Sequence, residues 1–237
     1  GDGDVQWLTA GAGIQHSEMF PLLHQDRANP FELFQIWVNL PAKDKFALPH
    51  LSMLWHETIP RIEFVDDQAK LTTLTLISGG YEQAQPVKPP ENSWAARKEN
   101  EVSIWTLKMD PGAKVILPAV QERTNRSLYF FAGTTIKIGN RTYPSGQRLD
   151  MADGRPILIE NNTAPAQLLL LGGRPINEPV VKHGPFVMNQ REEIQQAISD
   201  YRQTRFGGWP WSNSAPIHGS QARRFARLPD GQIIKPT

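Results

Sequence analysis

The chain has 237 residues, of which 39% are hydrophobic and 21% charged, and its formal net charge is +1. This composition excludes a wholly disordered chain, and the length is sufficient for a substantial core. The lack of cysteine excludes a disulfide framework, a zinc–thiolate site and a cysteine nucleophile. No apolar run approaches the roughly 18 residues of a membrane span, so we expect no membrane partner and a cytoplasmic location.

The predicted elements begin abruptly. A Gly/Asp turn at residues 1–4 leads directly into an apolar stretch without an initiator methionine. This pattern is typical of the middle of a domain, and we expect an N-terminal portion to be missing from the chain. Several later runs are bounded by turn residues and predict strands. They are residues 32–40, with Phe34, Ile36, Val38 and Leu40 on one face, and residues 71–78, 102–109, 127–132, 135–138, 156–160 and 167–171.

These strand spacings of roughly 8–15 residues favour a sandwich or barrel. Gly139-Asn140 predicts a hairpin turn, and the Pro-rich residues 86–100 predict a linker or long loop. A single helix is expected from Asn189 to Arg205, with Asn189 as its cap and Glu192 completing a capping box. We expect it to pack on the outside of a barrel.

The basic tail follows this helix. Residues 201–237 contain six basic residues and one acidic residue, which gives the tail a charge of +5 and the rest of the chain −4. Such a tail can meet nucleic acid or an acidic partner, or it can be a solvated extension. Its charges are scattered and no aromatic pattern lies between them, so we favour an extension and expect no direct nucleic-acid binding.

The candidate chemistry lies at His16 and Glu18. On a strand, residues two apart point to the same face, so an imidazole and a carboxylate could reach one divalent ion. Catalytic metals usually need three or four protein groups. Spacing alone therefore favours an ordinary polar pair.

Several short sequence motifs resemble those of the pirin family. They occur in the expected order from residue 1 to about 211, and together they are highly specific. They are VQWLTAG at 5–11, GI at 13–14, HSEM at 16–19, QIWVNLP at 35–41, GPFVMN at 184–189 and GGWPW at 207–211.

The resemblance implies an all-β bicupin, with two double-stranded β-helix barrels and a C-terminal α-helix. In pirins the first barrel binds iron through three His and one Glu. His16 and Glu18 match the third and fourth ligands, whereas the His-x-His segment that supplies the first two occurs nowhere in this chain. We therefore expect an incomplete first barrel. Fe(II) or another divalent metal is expected in the full-length protein, and this chain alone should lack a properly formed iron site.

The domain boundaries follow from the same comparison. Residues 1–95 would be the remainder of the N-terminal cupin domain with a linker, 96–210 the C-terminal cupin domain with its helix, and 211–237 the basic tail. The second barrel would span roughly 101–183. A cupin metal motif would place histidines where Pro118 and Val120 stand, so we interpret this barrel as structural.

The remaining histidines and three large aromatic residues receive structural interpretations. His24, His50, His56, His183 and His218 are expected to be structural or solvent-facing, although His50 and His56 could approach the metal barrel if their segment folds back over it. Trp7, Phe34 and Trp37 are expected in the core, although a flat substrate pocket also uses such residues.

Two functions remain open. The first is a quercetin 2,3-dioxygenase-type oxidoreductase acting on a flavonol-like molecule. Its metal would be held by His16, Glu18 and ligands missing from this chain, and Glu18 would also take the proton of the substrate hydroxyl. The alternative is a non-enzymatic, metal-dependent module that binds a protein partner, similar to a transcription coregulator.

Overall fold

The computed structural model describes residue 1 and residues 3–151 and 154–236. Two compact units are present: Gly1–Trp55 with Ile176–Thr237, and His56–Pro175. Among the described residues, no helix is long and apolar enough to cross a bilayer.

The strands are mostly short, and two long connections, residues 10–49 and 79–102, separate them in the first half of the chain. The strands are β1 Val5–Thr9, β2 His50–Leu54, β3 Arg61–Val65, β4 Leu71–Ser78, β5 Ser103–Met109, β6 Lys114–Leu117, β7 Asn125–Ala132, β8 Thr135–Ile138, β9 Arg141–Pro144, β10 Gln147–Met151, β11 Ile157–Asn161, β12 Ala166–Gly173, β13 Val181–His183, β14 Phe186–Met188, β15 Ala226–Arg227 and β16 Ile233–Ile234. The α-helix in the described residues, α1, is Arg191–Thr204, and 3-10 turns occupy Ala42–Asp44, Trp94–Ala96, Lys98–Asn100 and Arg205–Gly207.

Strands β3 to β12 form an antiparallel barrel in the unit 56–175. A six-stranded sheet has the order β10-β7-β12-β5-β4-β3, and a four-stranded sheet has the order β6-β11-β8-β9. Alternate side chains of each strand point inward, so that β4 alternates between buried and half-buried positions along its whole length. Leu107, Phe130, Ile136, Ile159 and Leu168 meet in one apolar core and are at most 1% exposed. These strands confirm the cupin-type barrel.

The hairpin expected at Gly139-Asn140 is confirmed. Ile138 pairs with Arg141, which leaves these two residues as the loop. Gly139 has a φ of +60°, a conformation that glycine adopts without steric cost.

The other unit contains short antiparallel pairs and the helix. Strands β1 and β2 pair over their full length, and two small hairpins are formed by β13–β14 and β15–β16. Helix α1 packs on the β13–β14 hairpin, where Ile194 is buried. The chain is thus mostly β-structure with a C-terminal helix, as the sequence predicts.

Two expectations for this unit are wrong in detail. Residues 32–40, all of which the structure describes, form no strand, because no ladder of hydrogen bonds includes them. Trp7 is buried as expected, but Phe34 and Trp37 are 40% and 55% exposed and do not join the core.

The helix cap lies one residue later than expected. Gln190 is the cap residue, and its backbone N–H donates to the Glu193 carboxylate at 2.8 Å. The N–H of Asn189 donates to the same oxygen at 2.9 Å. Glu193, rather than Glu192, therefore completes the capping box.

The two compact units also differ from the domain division near residue 95 that the sequence predicts. Strand β4 pairs with β5 along most of its length, and β3 pairs with β4, so both strands belong to the barrel sheet. Helix α1 lies in the unit that contains β1 and β2. The loop 86–100 therefore connects two neighbouring strands of one sheet.

Candidate functional site

The segment that carries the candidate residues leaves β1 through a turn at Ala10–Gly13. The N–H of Gly13 donates to the Ala10 carbonyl at 2.8 Å, and the N–H of Ala12 donates to the Ala47 carbonyl at 2.9 Å. Gly11 has a φ of +49°, and a Cβ placed there would lie 1.9 Å from the Ala47 oxygen. Only glycine fits this position, so the turn brings the chain close to residue 47 before it reaches His16.

His16 and Glu18 lie in an irregular segment, since residues 10–49, all of them described, form no strand. The argument from strand alternation therefore does not apply to them. Both side chains are nevertheless exposed and close in sequence. The His16 Nδ1 atom lies 3.3 Å from the side-chain oxygen of Gln6 on β1.

The contact with Gln6 fits a metal-binding histidine. An amide oxygen only accepts hydrogen bonds, so the neutral tautomer that satisfies this contact has its proton on Nδ1 and its lone pair on Nε2. Metal-ligating histidines commonly donate their other ring N–H in this way, which fixes the tautomer. An imidazole nitrogen and a carboxylate also suit a divalent first-row metal.

The pair does not complete a metal shell. In the described part of the chain, His16 and Glu18 belong to no group of three or more ligand atoms within reach of one another. The donors fit the metal in kind, but they supply two of the three or four protein ligands that such a site needs.

Three other histidines of this unit, His24, His50 and His218, contact neighbouring protein groups. His24 lies in a polar loop, where its backbone N–H donates to the Asn29 side chain at 2.8 Å. His50 Nε2 lies 3.1 Å from the Ser52 hydroxyl on β2. His218 stacks on Phe225, with ring centroids 5.5 Å apart. None of these contacts indicates a metal ligand.

The interior of the barrel in residues 56–175 is filled with apolar side chains and holds no described His, Asp or Glu in its core. Pro118 accepts a hydrogen bond from the buried Arg126 guanidinium through its carbonyl oxygen, at 2.6 Å. Val120 is half-buried. The described buried residues of this barrel thus include no metal-ligating side chain, and the structural role expected from Pro118 and Val120 stays a prediction.

A polar cluster lies at the far end of the irregular segment. Glu178 accepts hydrogen bonds from the Ala42 N–H at 2.6 Å and from the Asn189 amide at 2.9 Å. Lys45 is buried, and its ammonium donates to Asn39 at 2.5 Å. Burial lowers the pKa of Lys45, while Glu178 and Glu193 act in the opposite direction. The cluster ties the 39–45 turn to the start of α1.

Between the turn and this cluster, the segment presents an unusual number of apolar side chains to solvent, which the strand prediction for 32–40 did not foresee. The exposed members are Phe20, Leu22, Leu23, Phe31, Leu33, Phe34 and Trp37.

The basic tail folds back onto its own unit. The Arg224 guanidinium forms hydrogen bonds with the Asp4 carboxylate and stacks over Trp55 at 5.4 Å. Arg227 stacks over Trp211 at 5.2 Å. These contacts occupy the charges that a solvated extension would leave free, so at least two arginines of the tail are structural.

An antiparallel barrel of two sheets around an apolar core defines a cupin-type fold. The family description "Pirin C-terminal cupin domain" matches residues 104–207, and the description "Pirin" matches residues 1–38. The chain belongs to the pirin family.

Individual relatives support this assignment. A Pseudomonas aeruginosa protein provisionally named quercetin 2,3-dioxygenase is 34% identical over 208 residues, which cover 87% of this chain and 68% of that protein. Human pirin is 32% identical over 212 residues, covering 86% of this chain and 66% of its own length. The crystal structure of an Acinetobacter baumannii quercetin 2,3-dioxygenase has a TM-score of 0.67 at 26% identity, covering 87% of this chain and 67% of that one. The chain thus spans about two-thirds of the length of these relatives.

Proposed function

We propose that the full-length protein is a quercetin 2,3-dioxygenase-type oxidoreductase in which His16 and Glu18 are two of the metal ligands. The observation that carries the proposal is that His16 contacts the Gln6 side-chain oxygen through Nδ1 and stands two residues before the exposed Glu18 carboxylate. The names of the Pseudomonas and Acinetobacter relatives support the reaction class. The metal is Fe(II) or another divalent ion, and the proposal requires further ligands in the full-length protein.

Each residue has a defined task in this proposal. A divalent metal with an open position would bind and polarise the oxygen of a flavonol hydroxyl. Gln6 holds the His16 ring in one tautomer and orientation. The Glu18 carboxylate accepts the hydroxyl proton, which converts the phenol into a phenolate and the carboxylate into a carboxylic acid.

The test uses His16→Ala and Glu18→Ala in the full-length protein. We expect each variant to lose most of its bound iron and its quercetin-dependent oxygen uptake, because removing one ligand opens the shell. The matched control is His24→Ala, since His24 is a loop histidine outside the proposed shell. Iron content equal to that of the control in both variants would overturn the assignment.

The exposed apolar segment favours a second candidate function. Apolar side chains concentrated on one surface commonly mark a protein-binding site, and Phe31 and Leu33 are 61% and 52% exposed. In this second proposal the protein is a metal-dependent binding module. Oxygen uptake with quercetin that depends on Fe(II) favours the enzyme, and partner binding without turnover favours the module.

A further inference from the structure

The His16–Glu18 segment contacts the chain that leaves the C-terminal end of α1. The side-chain amide of Gln15 donates to the Arg205 carbonyl at 2.6 Å. Gly13 lies against the Phe206 ring so closely that a Cβ there would be 2.5 Å from the ring carbon Cγ. Two of the three residues before His16 therefore contact one turn.

This turn has an uncommon backbone conformation. Arg205 and Phe206 both have left-handed φ values, of 52° and 50°, although neither is glycine. A residue with a Cβ has a strained backbone at such φ values, and this conformation persists only where the surrounding structure holds it. The conformation turns the Arg205 carbonyl toward Gln15 and the Phe206 ring toward Gly13.

The surrounding residues hold the turn in place. The Thr204 hydroxyl donates to the Asp200 carbonyl at 2.8 Å and accepts from the Phe206 N–H at 3.1 Å. The Phe206 ring packs against Tyr201 and Phe186, with centroid distances of 5.2 and 6.2 Å. These contacts thus hold the turn to the helix end and to the β13–β14 hairpin.

The opposite end of the segment is fixed as well, through the Glu178 bonds to Ala42 and Asn189. Helix α1 therefore has one anchor near each terminus, and the irregular segment runs between them. The anchor at the C-terminal end lies immediately next to His16.

We infer that the Arg205–Phe206 turn is a positioning platform for His16 and Glu18, which acts through Gln15 and Gly13. The inference rests on the proposed function for the role of His16 and Glu18 as ligands. The platform itself is defined by contacts that need no metal. It gives an irregular segment the fixed geometry that a regular strand would otherwise provide, and ligand geometry determines metal affinity.

The experiment compares Gln15→Ala and Phe206→Ala with Gln203→Ala in the full-length protein. Gln203 is an exposed glutamine of α1 whose side chain bonds to Ser199 within the helix, so it is the matched control. Backbone order parameters of residues 14–19 are measured by NMR relaxation without metal. In the two platform variants we expect them to fall from about 0.85 to below about 0.6, with no change in Gln203→Ala.

A Co²⁺ titration then tests whether the order of residues 14–19 affects the affinity for metal. We expect Gln15→Ala to bind Co²⁺ about 10-fold more weakly than Gln203→Ala, in the range known for residues that orient metal ligands. Unchanged order parameters in Gln15→Ala would overturn the claim that the Arg205–Phe206 turn orders residues 14–19. If Phe206→Ala fails to fold, Gln15→Ala alone tests this claim. Unchanged Co²⁺ affinity in Gln15→Ala, together with weaker binding in His16→Ala, overturns the positioning role. Unchanged affinity in His16→Ala instead refutes the proposed function, and the order parameters then decide the platform.

Discussion

The Asp66 carboxylate connects the two sheets of the barrel. One oxygen accepts hydrogen bonds from the N–H groups of Gln68 and Lys70 in the β3–β4 turn, both at 2.9 Å. The other accepts the N–H of Lys114 at the start of β6, also at 2.9 Å. These hydrogen bonds, led by that of Lys70, lower the pKa of Asp66. A carboxylate is required here because all three partners are donors.

This arrangement predicts a pH-dependent loss of stability. Asp66→Asn replaces one acceptor with a donor, so we expect a lower free energy of unfolding at pH 7. Because the pKa of Asp66 is lowered in the folded state, its contribution is complete above the unfolded value of about 3.9 and is lost as the pH falls through the folded value. The difference between wild type and variant should therefore shrink below about pH 4.

Urea unfolding between pH 7 and pH 3 measures this difference. Asp67→Asn is the control, since the Asp67 side chain is exposed and adjacent. A difference for Asp66→Asn that stays constant down to pH 3 would contradict the assignment of the three hydrogen bonds to the ionised carboxylate.

At the scale of elements, periodicity predicted the helix better than its ends. The apolar stripe containing Ile194 and Ala197 locates α1 correctly: Ile194 is buried, Ala197 is half-buried, and the helix packs on the β13–β14 hairpin. The cap is shifted by one residue because glutamine is an uncommon cap, whereas asparagine is among the preferred ones. Local preference selected Asn189, but the structure uses the Asn189 side chain to bond Glu178 instead.

The capping box gives a prediction at this scale. Glu193→Ala removes the acceptor of the Asn189 and Gln190 N–H groups, so we expect a loss of about 0.5–2 kcal/mol in the free energy of unfolding. Glu192→Ala removes an exposed first-turn carboxylate and is the control. Chemical denaturation of both variants measures the effect, and an equal loss in the two would show that general helix-end charge, rather than the cap, is responsible.

Strand prediction failed where pairing decides the outcome. Residues 32–40 alternate as a strand does, yet they form none, whereas β4 alternates in the same way and pairs with two neighbours. Alternation describes the side chains of one segment only. A strand also needs a neighbour for its backbone hydrogen bonds, and a single sequence does not name that neighbour.

At the scale of the whole molecule, the sequence predicted the barrel and its apolar core, but not the residues at which the barrel unit begins and ends. The Pro-rich loop 86–100 has the composition of a linker, yet it is packed within the barrel unit. Ser93 and Asn100 are buried, the Trp94 indole donates to the Arg174 carbonyl at 3.3 Å, and the Asn100 amide donates to the Trp94 carbonyl at 2.7 Å. The composition of this loop predicts its turns correctly. It does not predict that the two strands before the loop belong to the barrel sheet.

For the candidate site, the sequence motif nominates His16 and Glu18 but does not describe their surroundings. The motif around His16 and Glu18 identifies these residues as candidates, but the Gln6 contact and the Arg205–Phe206 turn depend on tertiary structure. Gly207 indicated only that the helix ends nearby. No sequence rule assigns a left-handed conformation to two consecutive residues that are not glycine.

The continuous apolar core predicts that the barrel depends on packing throughout its interior. Phe130 on β7 is 1% exposed and contributes to a cluster that receives side chains from both sheets. Phe130→Ala removes a large buried ring and leaves a cavity, so we expect a loss of about 3–5 kcal/mol in the free energy of unfolding. Ile116→Ala on β6 is the control, because that side chain is 58% exposed, and its loss should stay within about 0.5 kcal/mol. Equilibrium denaturation in urea compares the two variants. If Phe130→Ala cost no more than Ile116→Ala, the interior of the barrel could not be the close-packed core that its buried side chains define.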